Sequence, residues 1–244
     1  MKIILSLFFI LFSITVFSQR PGKREPSKAG LTYNQLRVKP TVPPYGLTKI
    51  TDLVKKIQSD EEENRALNQK DYDALSLREK FTYHMIHAES FSQNCDYIPP
   101  PKNADTKIFA YLPDAFSEYA WSERQTKFLS SNRDSVIEFM RESMMRSKRA
   151  GINFKQAMLE INAKEMIPDI IATYRANKAV KDLDMLTVMM LLMKDNEYEP
   201  YLLSGSYKKL YAEETSYQSY LNYNKANEDL IIKRAMDFYN AEKK

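Results

Sequence analysis

The two histidines of this chain, His84 and His87, are spaced as a pair of metal ligands on a helix can be. Residues three apart share a helix face, and imidazole is a good ligand for zinc. Glu89 does not join them, because at about 100° per residue it falls about 160° round the helix from His87. His84 itself lies in the middle of the apolar face that contains Phe81. We therefore predict a buried, hydrogen-bonded His84, and keep a metal site at His84 and His87 as the alternative.

Cys95 is the single cysteine, and a thiol beside a histidine can act as a nucleophile. On a continuous helix, however, His84 and Cys95 would be about 16 Å apart along the axis, too far for a hydrogen bond. Cys95 also continues the apolar face of that helix. We predict a buried, inert thiol, and a lone cysteine excludes a disulfide framework.

Methionines cluster in the run LDMLTVMMLLM, residues 183–193, which is apolar at all but two positions. Thioether sulfur suits Cu(I), but methionine is also a flexible core filler. The intervening residues are leucine and valine, as core packing requires, so we predict a central buried helix and no cofactor. We give Met140, Met144 and Met145 the same interpretation.

Tyrosine is concentrated in the C-terminal third of the chain. Tyr207 and Tyr211 are four residues apart and Tyr217 and Tyr220 three apart, so each pair can share a helix face. Tyrosine is enriched at protein interfaces because its ring is apolar and its hydroxyl is polar. These four residues are our candidates for an interaction surface, and the alternative is that their rings close the core from its rim.

The motifs of the common enzyme classes are missing from the sequence. It contains no glycine-rich phosphate loop, no G-x-S-x-G, no H-E-x-x-H and no C-x-x-C. From residue 47 onward only Gly151 and Gly205 remain, so a loop that cradles phosphate is hard to build. A pair of carboxylates for glycoside cleavage stays open as an alternative, in a cleft with aromatic walls from residues such as Trp121.

The scarcity of glycine also indicates the fold, because tight β-hairpins depend on glycine and helices need it mainly at their ends. Ser76 and Glu79 form a capping-box pattern for a helix from Leu77 to about Phe91. Only Ile108–Leu112 is considered as a strand. We predict an all-α, irregular multi-helix domain. Short helices over 132–166 and 168–195 leave a helical-hairpin, solenoid-like array as the alternative.

The first residues, MKIILSLFFILFSITVFSQ, have the charge, the apolar run and the small residue of a secretory signal peptide. The apolar run is shorter than the roughly twenty residues that span a bilayer. We predict cleavage between Ser18 and Gln19 and export to the periplasm or the exterior of a bacterium.

Residues 20–46 contain five prolines and six basic residues against one acidic residue. We predict an extended or disordered tail that can contact an anionic surface. The rest of the chain is nearly neutral, so nucleic acid is not an expected partner. The predicted divisions are a signal peptide (1–18), a Pro-rich basic disordered tail (19–46), an N-terminal helical unit (47–98), a Pro-rich loop (99–106) and a main helical domain (107–244).

These observations favour an exported, non-enzymatic helical protein of the bacterial cell envelope that acts through contacts with a partner protein of the envelope. The alternatives are a helical envelope hydrolase that acts on cell-wall glycan, and a metal-binding protein that uses His84 and His87.

Overall fold

A computed structural model describes residues 27–93, 101–177, 180–213, 215–216 and 218–241. Most of these residues are helical, which confirms the mostly-α class. The helices are α1 (Lys28–Arg37), α2 (Leu47–Val54), α3 (Gln69–Asp73), α4 (Leu77–Ile86), α5 (Glu123–Ser131), α6 (Arg133–Ser147), α7 (Ile152–Glu160), α8 (Ile167–Ala176), α9 (Asp184–Asp195), α10 (Glu199–Leu202), α11 (Gly205–Tyr211) and α12 (Lys225–Ala241). Among the described residues, no helix is both long and apolar enough to span a bilayer.

The described residues include four short strands, which form two antiparallel pairs. Strand β1 (Ser90–Phe91) pairs with β3 (Tyr119–Ala120), and β2 (Lys107–Phe109) pairs with β4 (Tyr220–Asn222). The predicted strand at 108–112 is thus confirmed in its first part, since β2 ends at Phe109. Ile108, which faces Leu221 across this pair, is fully buried.

Helix α9 is the centre of the molecule. Every residue from Asp184 to Met193 is buried, which confirms that the methionine-rich run is a central buried helix. Helices α7, α8, α10 and α12 pack around it. Packing around one central helix gives no support to the hairpin-array alternative. Met140 and Met144 are buried as predicted, but Met145 is 63% exposed, so its core assignment is wrong.

The start of α4 is as predicted and its end is not. Ser76 and Glu79 form the reciprocal capping box. The helix ends at Ile86 because His87 takes an extended backbone, with φ −149° and ψ 132°. The prediction of a helix to about Phe91 is therefore wrong, and the chain turns into β1 instead. The change of direction also invalidates the helical angle used for Glu89.

The prediction of a disordered tail is wrong for residues 28–37, which form α1. Ser27 caps this helix by accepting a hydrogen bond from the Gly30 N–H. Tyr33 is buried, and its hydroxyl accepts a hydrogen bond of 2.7 Å from the Leu183 N–H. Arg37 is buried against Asp184. Specific long-range contacts thus order a segment whose composition indicates disorder.

The chain after α1 lies directly against the start of α7. A Cβ on Gly151 would be 2.0 Å from the backbone nitrogen of Thr41, so only glycine fits there. The Asn153 side chain accepts a hydrogen bond from the Thr41 N–H and donates one to the Thr41 carbonyl oxygen. Lys148, with φ +55°, takes the left-handed position at the end of α6. Gly151 is therefore required by the approach of Thr41.

Candidate functional site

A surface cleft of about 520 Å³ lies between the 114–121 segment and the C-terminal end of α7. The 114–121 segment leads from β2 through β3 to α5, and α7 forms the opposite wall. The residues lining the cleft are Asp114, Ala115, Phe116, Tyr119, Ala120, Trp121, Thr126, Gln156, Leu159 and Glu160. A volume of this size falls within the range of small-ligand pockets.

Trp121 forms one fixed wall of the cleft. Its indole N–H donates a 2.8 Å hydrogen bond to the carbonyl oxygen of His84, in the last turn of α4. Its ring meets the Phe116 ring edge-on, with centroids 5.6 Å apart and planes at 63°. The hydrogen bond and the ring contact set the indole orientation before any ligand binds, which lowers the entropy cost of binding.

The neighbouring wall is held by the β1–β3 pair. Tyr119 lies opposite Phe91 in this pair, and their rings make an edge contact at 5.7 Å. The Arg65 guanidinium lies 6.0 Å from the Tyr119 ring centroid. On the other side, Gln156 of α7 donates a 2.9 Å hydrogen bond to the carbonyl oxygen of Pro113. This bond ties α7 to the start of the 114–121 segment and so fixes the width of the cleft.

A buried carboxylate, Glu89, supports the cleft from behind. It accepts hydrogen bonds from the hydroxyl groups of Tyr83, at 2.6 Å, and Ser122, at 2.5 Å. It also forms an ion pair with Arg124. Ser122 follows Trp121 directly and caps α5. Glu89 therefore joins the start of α5, and with it the Trp121 wall, to α4.

Gln125 completes this network and determines the protonation of His84. The Gln125 side-chain oxygen accepts hydrogen bonds from the backbone N–H groups of Glu89 and Ser122. Its NH₂ group must then donate to His84 Nδ1, at 2.8 Å, and to the carbonyl oxygen of His87. A nitrogen that accepts from an amide carries no proton, so His84 is protonated on Nε2, which donates to the Tyr72 hydroxyl at 3.1 Å.

The histidines are therefore built into the interior. His84 is fully buried and His87 is 8% exposed. Burial lowers the pKa of His84 well below its usual value of 6.5, and the positive charges of Arg124 and Lys80 act in the same direction. Burial also lowers the pKa of His87, whose Nε2 is bonded to the carbonyl oxygen of Arg65. Both rings have protein partners, and the described part of the chain holds no group of three metal-ligating side chains.

The described candidate tyrosines, Tyr207, Tyr211 and Tyr220, differ in their burial and in their contacts. Tyr211 donates its hydroxyl to the carbonyl oxygen of Ala110 at 2.9 Å, and burial raises its pKa well above the usual value. Tyr207 packs against Tyr211 with ring centroids 5.1 Å apart. Tyr220 is on β4, 37% exposed, with the Lys107 ammonium 4.1 Å from its ring centroid. Tyr217 lies outside the described residues, as does Cys95. The structure thus places Tyr207 and Tyr211 at the rim of the core.

Sequence reasoning identified Trp121 but missed the residues that share its cleft. The run from Phe116 to Trp121 carries three aromatic residues within six positions and is followed by a second capping box, Ser122 with Gln125. That pattern indicates an aromatic loop held at a helix start. Nothing in the spacing indicates that Gln156 and Glu160 of α7 face it.

The lining of the cleft suits binding. Its apolar part is made of flat aromatic rings and Leu159, and its polar part of the carboxylates of Asp114 and Glu160 with the amide of Gln156. The lining residues among those described include no basic side chain. Such a surface can hold a flat or extended ligand that supplies hydrogen-bond donors. Comparison with known proteins assigns no family, because no family model, curated protein or solved structure matches the chain.

Proposed function

We propose that this protein is an exported, non-enzymatic binding protein of the bacterial cell envelope that holds a segment of a partner protein in the cleft beside Trp121. The observation that carries the proposal is the fixed indole, bonded to the His84 carbonyl oxygen and lining a cleft of about 520 Å³. The leader-like residues 1–18 support the exported location.

A peptide segment fits this cleft better than a rigid compact ligand does. The cleft is open along the protein surface, and both the exposed Ala120 and the exposed Glu160 lie on its rim. One or two side chains of a peptide fill such a volume, and aromatic rings supply contact area at low entropy cost. We therefore expect recognition of a short motif with dissociation constants in the micromolar range.

The test is a selection of displayed random-sequence peptides on the chain that begins at Gln19, followed by calorimetry with the selected peptides. The cleft is blocked by Ala120→Tyr, because Ala120 is exposed and tyrosine is favoured in a strand. Tyr220→Ala is the matched control, since Tyr220 is exposed and is not among the residues lining the cleft. We expect Ala120→Tyr to abolish binding and Tyr220→Ala to leave it unchanged. The opposite pattern would refute the cleft as the binding site.

One observation favours a second candidate function, an envelope hydrolase that acts on cell-wall glycan. Asp114 and Glu160 line the same cleft as Trp121, and glycosidases use a pair of carboxylates that flank the scissile bond. This candidate predicts release of reducing ends from purified peptidoglycan. It also predicts that Glu160→Gln and Asp114→Asn each remove that activity. Intact glycan after incubation with the wild-type protein would eliminate the hydrolase.

A further inference from the structure

We infer that the cleft recognises a cationic side chain of the partner, the ammonium group of a lysine or the guanidinium group of an arginine. The inference rests on the proposed function, in which the cleft holds a partner segment. Three features of the cleft lining support a cationic ligand.

The first feature is charge. The cleft is lined by the carboxylates of Asp114 and Glu160, and none of its lining residues among those described is basic. Glu160 is exposed at the end of α7 and forms no ion pair with the described residues, so its charge is directed at solvent or at a ligand. Opposite charges across an interface set the choice of partner more than they set affinity.

The second feature is hydrogen bonding. Gln156 uses its side-chain N–H to donate to the Pro113 carbonyl oxygen. Its amide oxygen can accept a hydrogen bond from a ligand. With the Glu160 carboxylate, it gives the cleft acceptors for a group rich in N–H donors. An ammonium group has three donors and no acceptor, and a guanidinium group has five donors.

The third feature is the aromatic corner. The rings of Phe116 and Trp121 both line the cleft, and their planes meet at 63°. A cation over an aromatic face is attracted by the electrons of the ring, and tryptophan gives the strongest attraction. The methylene groups of a lysine or arginine side chain would pack on the same rings while the charged end reaches Glu160.

The test uses the single tryptophan of the chain as its reporter. Because Trp121 lines the cleft, a bound side chain changes its fluorescence directly. The probes are the selected peptides and versions in which each basic residue is replaced in turn by norleucine, which keeps the methylene chain and removes the charge. We expect one position at which norleucine weakens binding about tenfold, with a smaller effect at high salt.

The protein variants are Glu160→Gln, Glu160→Lys and the control Glu138→Gln, which changes an exposed glutamate on α6 outside the cleft. We expect Glu160→Gln to weaken binding severalfold and Glu138→Gln to have no effect. We also expect the Glu160→Lys variant to bind a peptide with glutamate at the norleucine-sensitive position more tightly than the peptide with the original basic residue. These substitutions are at exposed sites, so the fold should be retained.

The outcomes separate this inference from the function on which it rests. If Ala120→Tyr abolishes binding while norleucine peptides and Glu160→Gln bind as well as their parents, the cleft binds a partner but not a cation. Selected peptides without basic residues would overturn the inference in the same way. If Ala120→Tyr has no effect, the proposed function itself fails.

Discussion

The Nε of Arg37 lies 3.0 Å from both carboxylate oxygens of Asp184, and both side chains are buried. The pair joins α1 to the central helix across 147 residues of sequence. The Arg37 guanidinium also lies 4.1 Å from the centroid of the Phe109 ring. The buried Lys155 ammonium lies 2.7 Å from Asp182 and 3.9 Å from Asp184. It therefore compensates the negative charge of Asp182. The N-terminal segment is thereby held to the core by compensated buried charges.

Loss of one member of this pair should be costly. Arg37→Met leaves Asp184 buried with only the more distant Lys155, so we expect the free energy of unfolding to fall by about 3–5 kcal/mol. Urea denaturation followed by circular dichroism measures the loss. The control is Lys233→Ala, which removes the exposed pair with Asp237 and should cost less than about 0.5 kcal/mol. Equal effects of the two substitutions would contradict the assignment of Arg37 as an internal anchor.

The two glycines of the main body should respond in opposite ways to alanine. Gly151→Ala brings a methyl group against the Thr41 backbone, so we expect a loss of about 1–3 kcal/mol and faster proteolysis within residues 38–46. Gly205→Ala adds a methyl group with nothing within 4 Å at the start of α11. It should leave stability unchanged or raise it by up to about 1 kcal/mol. Thermal unfolding of the two variants distinguishes these cases, and a stabilised Gly151→Ala would disprove the close approach.

The buried histidines predict a loss of stability in mild acid. Their pKa values are lowered in the folded state, so below about pH 6.5 the unfolded chain binds more protons than the folded one. Stability then falls as the pH falls, with a slope of about 1.4 kcal/mol per pH unit for each proton. Protonation of His84 would also place an N–H against the amide N–H of Gln125. The free energy of unfolding measured between pH 7.5 and 5.5 should therefore decrease.

The matched variant for this prediction is His84→Gln, which should have a shallower pH dependence even though it is less stable at pH 7.5. Comparison of slopes is necessary because burial raises the pKa of Asp182, which acts in the opposite direction as the pH falls. Identical pH slopes of stability for the variant and the wild type would show that the pKa of His84 does not differ between the folded and unfolded states.

The hydrogen bonds and the ion pair of Glu89 should affect both the stability of the fold and the position of the Trp121 indole in the cleft. Glu89→Gln leaves Arg124 without its ion-pair partner and disturbs the bonds to Tyr83 and Ser122, so we expect a loss of about 2 kcal/mol. The emission of Trp121 should also change, because Ser122 is its neighbour. Glu123→Gln, at the exposed adjacent position, should change neither quantity. An unaltered emission spectrum for Glu89→Gln would show that the network does not position the indole.

The tyrosines at the core rim and on the surface should differ in their response to loss of the hydroxyl. Tyr211→Phe removes the bond to the Ala110 carbonyl oxygen and should cost about 1 kcal/mol. Tyr220→Phe, at an exposed ring, should cost almost nothing. Chemical denaturation of both variants measures the difference. Equal free energies of unfolding would show that the Tyr211 hydroxyl bond does not stabilise the fold.

Local signals in the sequence were sufficient where the structure depends on neighbours along the chain. The Ser76–Glu79 capping box and the apolar run at 183–193 predict the start of α4 and the burial of α9, since capping and all-round burial are properties of a short segment. The order of α1 could not be predicted in this way. Its proline-rich context indicates disorder, and the partners that order it, Leu183 and Asp184, are remote in sequence.

In the candidate site, too, the sequence predicts the local features but not the contacts between remote segments. Trp121 stands out by its residue type, and the position of His84 on an apolar face predicts its burial. The cleft, however, exists only because the 114–121 segment meets α7, and Gln156 makes the connecting hydrogen bond to Pro113. The end of α4 was missed for a related reason. The helix ends before His87, and the turn of the chain there lets Glu89 make buried contacts with α5. The spacing of apolar residues along α4 does not indicate those contacts.

The docking of α1 on α9 also fixes the order in which a growing chain can reach its final state. Residues 27–46 leave the ribosome early, but their docking partner is translated only late, so Tyr33 and Arg37 wait without their native neighbours. The N-terminal segment can therefore take its native position only after the central helix has been synthesised.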